Sequence, residues 1–224
     1  MAGGKGTRLG EITQRIPKPL ISINGTPILD RIFDAFPEEI TEVIISVAHL
    51  GDQISTYTGS LFKNRSVTHV QCNEALMGTA GAVWAARDLI QNGERFLVVS
   101  GDDIYQRADL EACLKNDLAF GLFQELPPSE KFFSIELNGK GDVVRFVRPQ
   151  NLEEKINIAT GVYVLDDRIF GYDPVHLKDA EYGLPQTILR MAQDIPVRGV
   201  VMDSWLPINT PEDIQKAKNM LNSK

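Results

Sequence analysis

A glycine-rich loop surrounded by cations lies at the start of the chain. Its residues read Ala2-Gly3-Gly4-Lys5-Gly6-Thr7-Arg8-Leu9. Because glycine has no Cβ, the backbone of such a loop can approach a ligand closely, and its successive N–H groups can form a concave anion site. Apart from Glu11, the charged side chains up to residue 18 are cations, namely Lys5, Arg8, Arg15 and Lys18. In a chain whose net charge is -7, this local excess of cations predicts a polyphosphate site.

A stiff support presents Lys18. Pro17 and Pro19 flank this lysine and fix the φ angles on either side, and the residue before each proline is biased to extended backbone. Lys18 is therefore predicted to hold its ammonium group at a defined place beside the glycine loop. The alternative interpretation is that Gly3 to Gly6 is a flexible terminus and that the two prolines form an ordinary turn.

Two adjacent carboxylates follow an apolar segment, Leu97-Val98-Val99-Ser100-Gly101-Asp102-Asp103. Ligands of open α/β sheets bind outside the carboxyl ends of the strands. Mg²⁺ prefers oxygen ligands and bridges phosphate oxygens, so a carboxylate at this point can hold the ion. The alternative is that Asp102 and Asp103 are both solvated loop acids.

A second glycine segment, Glu74 to Ala82, lies between a predicted strand and a predicted helix. Gly78 and Gly81 allow the backbone and the start of the helix to approach a flat ligand such as a nucleobase. The alternative is that these glycines only permit close packing of the helix on the sheet.

Three blocks near the N-terminus resemble the start of the sugar-1-phosphate nucleotidylyltransferases, which make nucleotide sugars from an NTP and a sugar 1-phosphate. The blocks are Gly4-Lys5-Gly6-Thr7-Arg8-Leu9, Pro17-Lys18-Pro19-Leu20 and Asn24-Gly25-Thr26-Pro27-Ile28-Leu29. Their order and spacing make the resemblance specific. Other glycine loops fit less well, because a dinucleotide fingerprint needs a third glycine where Leu9 stands and a P-loop needs Gly-Lys-Ser/Thr.

The resemblance extends from Gly3 to about Asp213 and implies a fold and a reaction. The fold is α/β, a three-layer Rossmann-like domain with a mostly parallel mixed sheet (the nucleotide-diphospho-sugar transferase fold). Residues 1–224 would form a single domain of the short form, without a C-terminal hexapeptide-repeat domain. The implied reaction is Mg²⁺-dependent and converts an NTP and a sugar 1-phosphate into an NDP-sugar and pyrophosphate.

The resemblance also assigns roles to individual residues. Arg8 would stabilise the β- and γ-phosphates and the leaving pyrophosphate, and Lys18 the charge that develops at the α-phosphate. Asp102 would hold Mg²⁺, with Asn209 as the second ligand. The nucleotide would be bound by Ala2, Gly3, Gly4, Gly6, Thr7, Gln71, Gly78 and Thr79. The sugar phosphate would be bound by Arg148 and Gly161.

Two departures from the family pattern put parts of this assignment in doubt. Val147-Arg148-Pro149 stands where the family commonly has Glu-Lys-Pro, so a partner for a sugar hydroxyl is missing. Pro207 stands where the family usually has its second metal-binding aspartate. Asn209 is then the nearest polar candidate, unless it only shapes the turn before the last helix, and Asp203 is a further one.

These departures leave two other hypotheses open. The chain can be a nucleotide-sugar-binding regulatory homologue without catalysis, or a transferase for a non-sugar phosphate such as phosphocholine. Phosphocholine would need an aromatic cage for its quaternary ammonium, and the available side chains are Tyr172, Tyr182 and Trp205. Neither the base nor the sugar can be read from the sequence, although a hexose or heptose 1-phosphate is favoured as acceptor.

Composition restricts the remaining possibilities. With 224 residues, 43% of them hydrophobic, the chain is long enough for one sizeable core. The pI near 5.0 argues against nucleic acid as a partner, and no apolar run reaches the roughly 18 residues of a membrane span. Because Cys72 and Cys113 are too few for a disulfide framework and no signal peptide is present, a cytoplasmic protein is predicted. A homo-oligomer remains possible.

Helices and strands must alternate to position these residues. Hydrophobic periodicity predicts helices at 28–36, 52–62, 78–90, 110–114, 184–193 and 211–222, the first capped by Thr26 and the last by Thr210. Strands are predicted at 43–47, 67–72, 96–100, 118–125, 132–137, 143–147, 161–165 and 197–202. In the family an inner strand leads into the glycine loop, and we expect that strand to be missing or truncated ahead of Met1.

Overall fold

The structure is a computed structural model that describes residues 1–2, 9–127, 129, 132–177 and 181–222. In these ranges its α-helices are α1 Ile12–Arg15, α2 Ile28–Ala35, α3 Gly51–Thr58, α4 Gly78–Trp84, α5 Arg107–Leu114, α6 Leu184–Met191 and α7 Pro211–Asn222. None of these helices is long and apolar enough to cross a membrane.

The strands of the same ranges are mostly short. They are β1 Ser22–Ile23, β2 Thr26–Pro27, β3 Glu42–Val47, β4 Leu61–Phe62, β5 Arg65–Gln71, β6 Arg95–Val98, β7 Asp103–Tyr105, β8 Ala119–Glu125, β9 Ser134–Leu137, β10 Val143–Val147, β11 Ile156–Asp166, β12 Val175–His176, β13 Tyr182–Gly183, β14 Arg198–Val201 and β15 Trp205–Pro207.

The main sheets are mixed, as predicted, but within the described ranges they contain three antiparallel and two parallel pairings rather than the expected parallel majority. β3 pairs in parallel with β5, and β14 pairs in parallel with β8. The long strand β11 runs antiparallel to both of its neighbours, β6 and β8, in the order β14-β8-β11-β6. β9 and β10 form the predicted hairpin.

Alternating residues of β11 show that helices cover both faces of the sheet. Val162 and Val164 belong to one buried cluster, which also contains residues of α2, α3, α5 and α7. Tyr163 and Leu165 belong to the other, which contains residues of α4 and α6. Since successive side chains of a strand point to opposite faces, the sheet lies between two helical layers. The three-layer α/β fold predicted from the sequence is therefore confirmed.

Two local predictions were wrong because of tight turns. Thr26 does not cap α2, because residues 26–27 pair with β1 across Asn24 and Gly25, whose φ angles are +52° and +81°. Residues 61–62 are a strand rather than the end of a helix, because Lys63 and Asn64 turn the chain with φ angles of +47° and +63°. Paired left-handed residues are typical of two-residue hairpin turns.

A cleft separates the β3-β5-β4 sheet from the β14-β8-β11-β6 sheet. Among the described residues, β3 has a named partner strand on one side only, β5, and β6 likewise has only β11. A cavity of about 520 Å³ lies between β3 and β6, with α4 alongside. We call it the β3–β6 cleft. The strand predicted ahead of the glycine loop would lie here, and this part of the sequence interpretation stays a prediction.

The first two residues close one end of the β3–β6 cleft. The Ala2 N–H donates to the Ser46 carbonyl at 2.9 Å, and the Gly101 N–H donates to the Met1 carbonyl at 2.7 Å. The amino group of Met1 donates to the Val99 carbonyl at 3.0 Å. Burial lowers the pKa of this amino group. Met1 and Ala2 therefore connect the end of β3 with the segment that leads to Asp102.

Candidate active site

Lys18 is the centre of the candidate site. It begins a 3-10 turn after the extended Pro17, so the extended backbone expected for the residue before Pro19 is not observed, and its side chain is only 7% exposed. Its Nζ lies 2.6 Å from Asp102 Oδ2 and 3.1 Å from Asn209 Oδ1. Three residues that the sequence predicted for phosphate and metal binding are therefore in direct contact, although 191 positions separate the first from the last.

The β7–β15 ribbon brings Asn209 to this place. β7 begins directly after Asp102, and Pro207 of β15 pairs with Asp103. Asn209 lies two residues beyond Pro207, so its side chain reaches Lys18 as the chain leaves the ribbon. Proline at the aspartate position of the family thus forms part of the ribbon, and the amide two residues later supplies an oxygen at the site.

The start of α7 fixes the backbone of Asn209. The Asp213 carboxylate accepts hydrogen bonds from the N–H groups of Asn209 and Thr210, both at 2.8 Å. The Thr210 hydroxyl accepts in return from the Asp213 N–H at 3.3 Å. This reciprocal arrangement is a capping box with Asp in the acidic position. The predicted cap of the last helix is therefore confirmed, and it holds one residue of the site.

Asp203 lies away from Asn209, at the other end of β15. Its backbone N–H donates to Asp109 Oδ1 at 2.8 Å, before β15 begins. Asn209 follows the same strand and is the residue that shares Lys18 with Asp102. Between the two candidates for a second metal ligand, the geometry favours Asn209.

Asp103 is a buried partner of the β7–β15 ribbon rather than a solvated acid. Its carboxylate accepts from Trp205 Nε1 at 3.0 Å and from the Tyr105 hydroxyl at 3.4 Å. Burial, followed by the neighbouring Asp102 charge, raises the pKa of Asp103 to about 7, against the opposing effect of the Trp205 hydrogen bond. The sequence analysis missed Tyr105, although its spacing of two from Asp103 in a strand places both on one face.

The chemistry of these oxygens fits a magnesium ion. Asp102 offers a carboxylate that is 37% exposed and contacts the Lys18 ammonium group. Asn209 offers an amide oxygen that contacts the same ammonium group. Within the described ranges no group of three His, Cys, Asp or Glu side chains could hold a metal. Because Mg²⁺ is usually bound by one or two protein oxygens together with water and substrate phosphates, the pair Asp102 and Asn209 fits this ion.

The first residue of the glycine loop, Ala2, lies beside the segment that leads to Asp102. Ala2 is buried, and a Cβ added at Gly101 would lie 3.2 Å from that of Ala2, so the loop begins beside the residue that precedes Asp102. The predicted site residues Gly3, Gly4, Gly6, Thr7 and Arg8 lie outside the described residues.

The nucleobase segment packs against a neighbouring part of the chain. Gly78 has φ +89°, and a Cβ there would lie 2.6 Å from the Tyr182 carbonyl. The Thr79 hydroxyl accepts from the Leu184 N–H at 2.9 Å. The packing interpretation of these glycines thus describes real contacts, and the nucleobase role of Gly78 and Thr79 stays a prediction. Gln71 is exposed at the end of β5.

Gly161 lies next to the segment before Asp102. It has φ +77° at an irregularity of β11, and its carbonyl accepts from the Ser100 N–H at 3.0 Å. A side chain at this position would collide with the Ser100 hydroxyl, which explains why glycine is needed. The structure therefore places Gly161 at the edge of the candidate site.

Arg148 stands just after β10 and is exposed. Its guanidinium carbon lies 4.3 Å from the centre of the Phe133 ring, which is within range of a cation–π contact. The aromatic ring holds the guanidinium on the β9–β10 hairpin. A role in binding the sugar phosphate stays a prediction.

The three aromatic side chains considered as a choline cage have different partners. Tyr172 donates to Asp194 Oδ2 at 3.0 Å, and Tyr182 packs edge-on against His176. Trp205 donates to Asp103 and packs against Phe123. These contacts give no support to a cage formed by the three rings.

Relatives with established names cover the whole chain. The bifunctional protein GlmU of Methanocaldococcus jannaschii is 28% identical over 228 residues, which is 100% of this chain and 54% of that protein. The chain thus spans about half the length of this relative. The D-glycero-alpha-D-manno-heptose 1-phosphate guanylyltransferase of Aneurinibacillus thermoaerophilus is 26% identical over 228 residues, with 99% of this chain and 96% of that protein covered.

Comparison of structures agrees with the sequence relatives. The crystal structure of HddC from Yersinia pseudotuberculosis has a TM-score of 0.72 and 24% identity, over 98% of this chain and 96% of that one. At this identity the match shows a shared fold. The family model described as nucleotidyl transferase matches residues 1–223. This match covers almost the whole chain and includes Lys18, Asp102 and Asn209. The chain therefore belongs to the nucleotidyl transferase family.

Proposed function

We propose that this protein is a Mg²⁺-dependent sugar-1-phosphate nucleotidylyltransferase. It would convert an NTP and a sugar 1-phosphate into an NDP-sugar and pyrophosphate. The observation that carries the proposal is the contact of Lys18 with both Asp102 and Asn209, at 2.6 and 3.1 Å. A phosphate-binding cation and two metal-binding oxygens at one point are the components that phosphoryl and nucleotidyl transfer require.

The reaction needs positioning and charge stabilisation more than proton transfer. A sugar-phosphate oxygen is already a nucleophile at neutral pH, and it would attack the α-phosphorus in line with the leaving pyrophosphate. Lys18 would stabilise the charge that develops at the α-phosphate, and Arg8 that of the leaving group. Asp102 and Asn209 would hold Mg²⁺, which when bound would supply further neutralisation of the phosphate charge.

Different segments of the chain would bind the NTP and the sugar 1-phosphate. The glycine loop from Gly3 to Thr7 would enclose the triphosphate, while Gly78 and Thr79 would border the base. Arg148 would bind the sugar phosphate from the β9–β10 hairpin, helped by Gly161. The family's acidic residue is replaced by Val147, so the sugar hydroxyls must find other partners.

The substrate pair to test first is GTP with a heptose 1-phosphate. The relative that is a heptose 1-phosphate guanylyltransferase is covered for 96% of its length, so its architecture corresponds to that of this chain.

A cytoplasmic location is part of the proposal. The free thiols of Cys72 and Cys113 fit a reducing compartment such as the cytoplasm.

Pyrophosphate release with Mg²⁺ tests the proposal. Each NTP and dTTP is combined with hexose and heptose 1-phosphates, and the NDP-sugar is identified by mass spectrometry. Release that depends on one NTP–sugar pair supports the transferase and names its substrates. A folded protein that binds an NTP but releases no pyrophosphate with any sugar 1-phosphate would contradict the proposal and favour the regulatory homologue.

A further inference from the structure

We propose that Lys18 competes with the metal ion for the oxygens of Asp102 and Asn209, so that this lysine must leave them when the ion binds. The inference rests on the proposed function, since it assumes that these two residues hold the ion. It adds a coupling between metal binding and the position of the phosphate-binding lysine.

The distances around Nζ carry the inference. The ammonium lies 2.6 Å from Asp102 Oδ2 and 3.1 Å from Asn209 Oδ1, so it occupies the space that the two oxygens share. A magnesium ion would need to lie about 2.0–2.1 Å from each oxygen that binds it. An ion held by the same two atoms would therefore overlap the ammonium group or lie directly against it.

The surroundings of Lys18 restrict how far the lysine can move. The residue is 6% exposed and lies between two prolines, so its backbone is held in place. Asp102, by contrast, is 37% exposed and open to an ion from solvent. The displaced ammonium would turn within the site, where a phosphate oxygen of the substrate can replace the lost carboxylate. Metal binding would in this way release the lysine for its proposed role at the α-phosphate.

Calorimetric titration of the full chain with Mn²⁺, in the absence of nucleotide, measures this competition. We expect Lys18→Met to bind the ion more tightly than wild type, on the order of 10-fold, because a single neighbouring cation weakens proton binding at a carboxylate by that factor or more and should oppose a metal ion in the same way. Lys63→Met is the matched control. It removes the same charge from a separate ion pair, Lys63 with Asp34 at 2.7 Å, and should leave the affinity near that of wild type.

A second variant guards against misfolding. Lys18→Gln keeps a hydrogen-bond donor near Asp102 without the charge, and it should also bind Mn²⁺ more tightly than wild type. If both variants are folded by circular dichroism and bind the ion no more tightly than wild type, the competition is wrong. The ion would then use the other Asp102 oxygen while Lys18 stays in place.

Asp102→Asn in the Lys18→Met background separates this inference from the proposed function. Loss of the gained affinity in the double variant supports competition at Asp102. Retention of that affinity overturns the competition, because the ion then binds elsewhere. Failure of the proposed function would give a different result. The Lys18 variants would bind Mn²⁺ more tightly than wild type, as expected, but wild type would release no pyrophosphate.

Discussion

At the scale of single residues, the site depends on charges that the fold holds close together. Lys18 is almost fully buried, yet its ammonium group has two oxygen partners at hydrogen-bond distance. A buried charge without partners would be costly, so the Asp102 and Asn209 oxygens stabilise the ammonium group in this position. Residues that satisfy one another in this way are also those whose loss should affect catalysis most.

The first prediction concerns the two charges with the clearest proposed roles. Asp102→Asn and Arg8→Ala should each lower kcat by on the order of 10²–10³, comparable with the loss of one preorganised electrostatic contact. The rate of pyrophosphate release at saturating substrates measures this. Arg145→Ala is a suitable control for arginine loss, because Arg145 forms an exposed pair with Glu136. Near wild-type kcat would remove the substituted residue from the mechanism.

At the scale of elements, the β7–β15 ribbon connects the buried Asp103 with the half-buried Asp102 and Asn209, the two residues that we propose to hold the metal ion. Trp205 donates to Asp103 from the opposite strand, and Asn209 follows two residues after the ribbon ends. A substitution that displaces β7 or β15 should therefore change the position of Asn209 relative to Lys18. The capping box of α7 fixes the other side of Asn209.

Loss of the Trp205 donor should destabilise the protein. Trp205→Phe leaves a buried carboxylate with one hydrogen-bond donor fewer, and the expected loss is about 1–3 kcal/mol in the free energy of unfolding. Urea unfolding at pH 8 measures it. The same substitution at Trp84, whose ring packs edge-on against Phe170, is the control and should cost less. Equal losses in the two variants would assign the effect to packing alone.

The contact of α3 with β5 makes stability depend on pH. His69 Nε2 lies 2.8 Å from the Thr58 hydroxyl, and burial lowers the pKa of His69. The unfolded chain, with a histidine pKa of about 6.5, then binds more protons than the folded one. Stability should be complete above that pH and should fall as the pH drops from about 6.5 toward the folded pKa of His69.

Urea unfolding of wild type and His69→Gln at pH 7.5 and pH 5.5 checks this dependence. Wild type should lose more stability between the two pH values than the variant does. His176→Gln, which removes a histidine from the exposed end of β12, should behave like wild type. If wild type and His69→Gln lose the same amount, His69 does not cause the dependence.

At the scale of the whole molecule, the β3–β6 cleft lies between the β3-β5-β4 sheet and the β14-β8-β11-β6 sheet. Its walls include the edges of β3 and β6 that have no partner strand in the described part of the chain, and Met1 and Ala2 bond to both sides at one end. Unpaired strand edges and an unfilled interior cost stability, since backbone groups and apolar atoms lack partners there.

A strand added before Met1 should therefore stabilise the protein. We expect five β-branched apolar residues joined to the amino terminus to enter the cleft and raise Tm by several degrees, roughly what 1–2 kcal/mol gives in a chain of this size. An extension of five Gly and Ser residues is the control of equal length. If the two extensions give the same Tm, the cleft does not accept a strand.

The sequence alone was sufficient for features that depend on neighbouring residues. The Thr210 cap and the hairpin after β9 each follow from local backbone preferences, which a short motif specifies. The apolar periodicities predicted the helices and the strands of the mixed sheet. The family resemblance added the proposed roles of Asp102 and Asn209, which periodicity cannot supply.

The tertiary structure decided what depends on contacts between distant segments. It placed Asn209 rather than Asp203 beside Lys18, because the register of β15 on β7 determines which residue reaches this lysine, and a shift of one residue would reverse every side chain. It also buried Asp103 beneath Trp205 and packed Gly78 against Tyr182. Local propensity contains no information on these pairings, since they arise only when strands far apart in the chain are brought together.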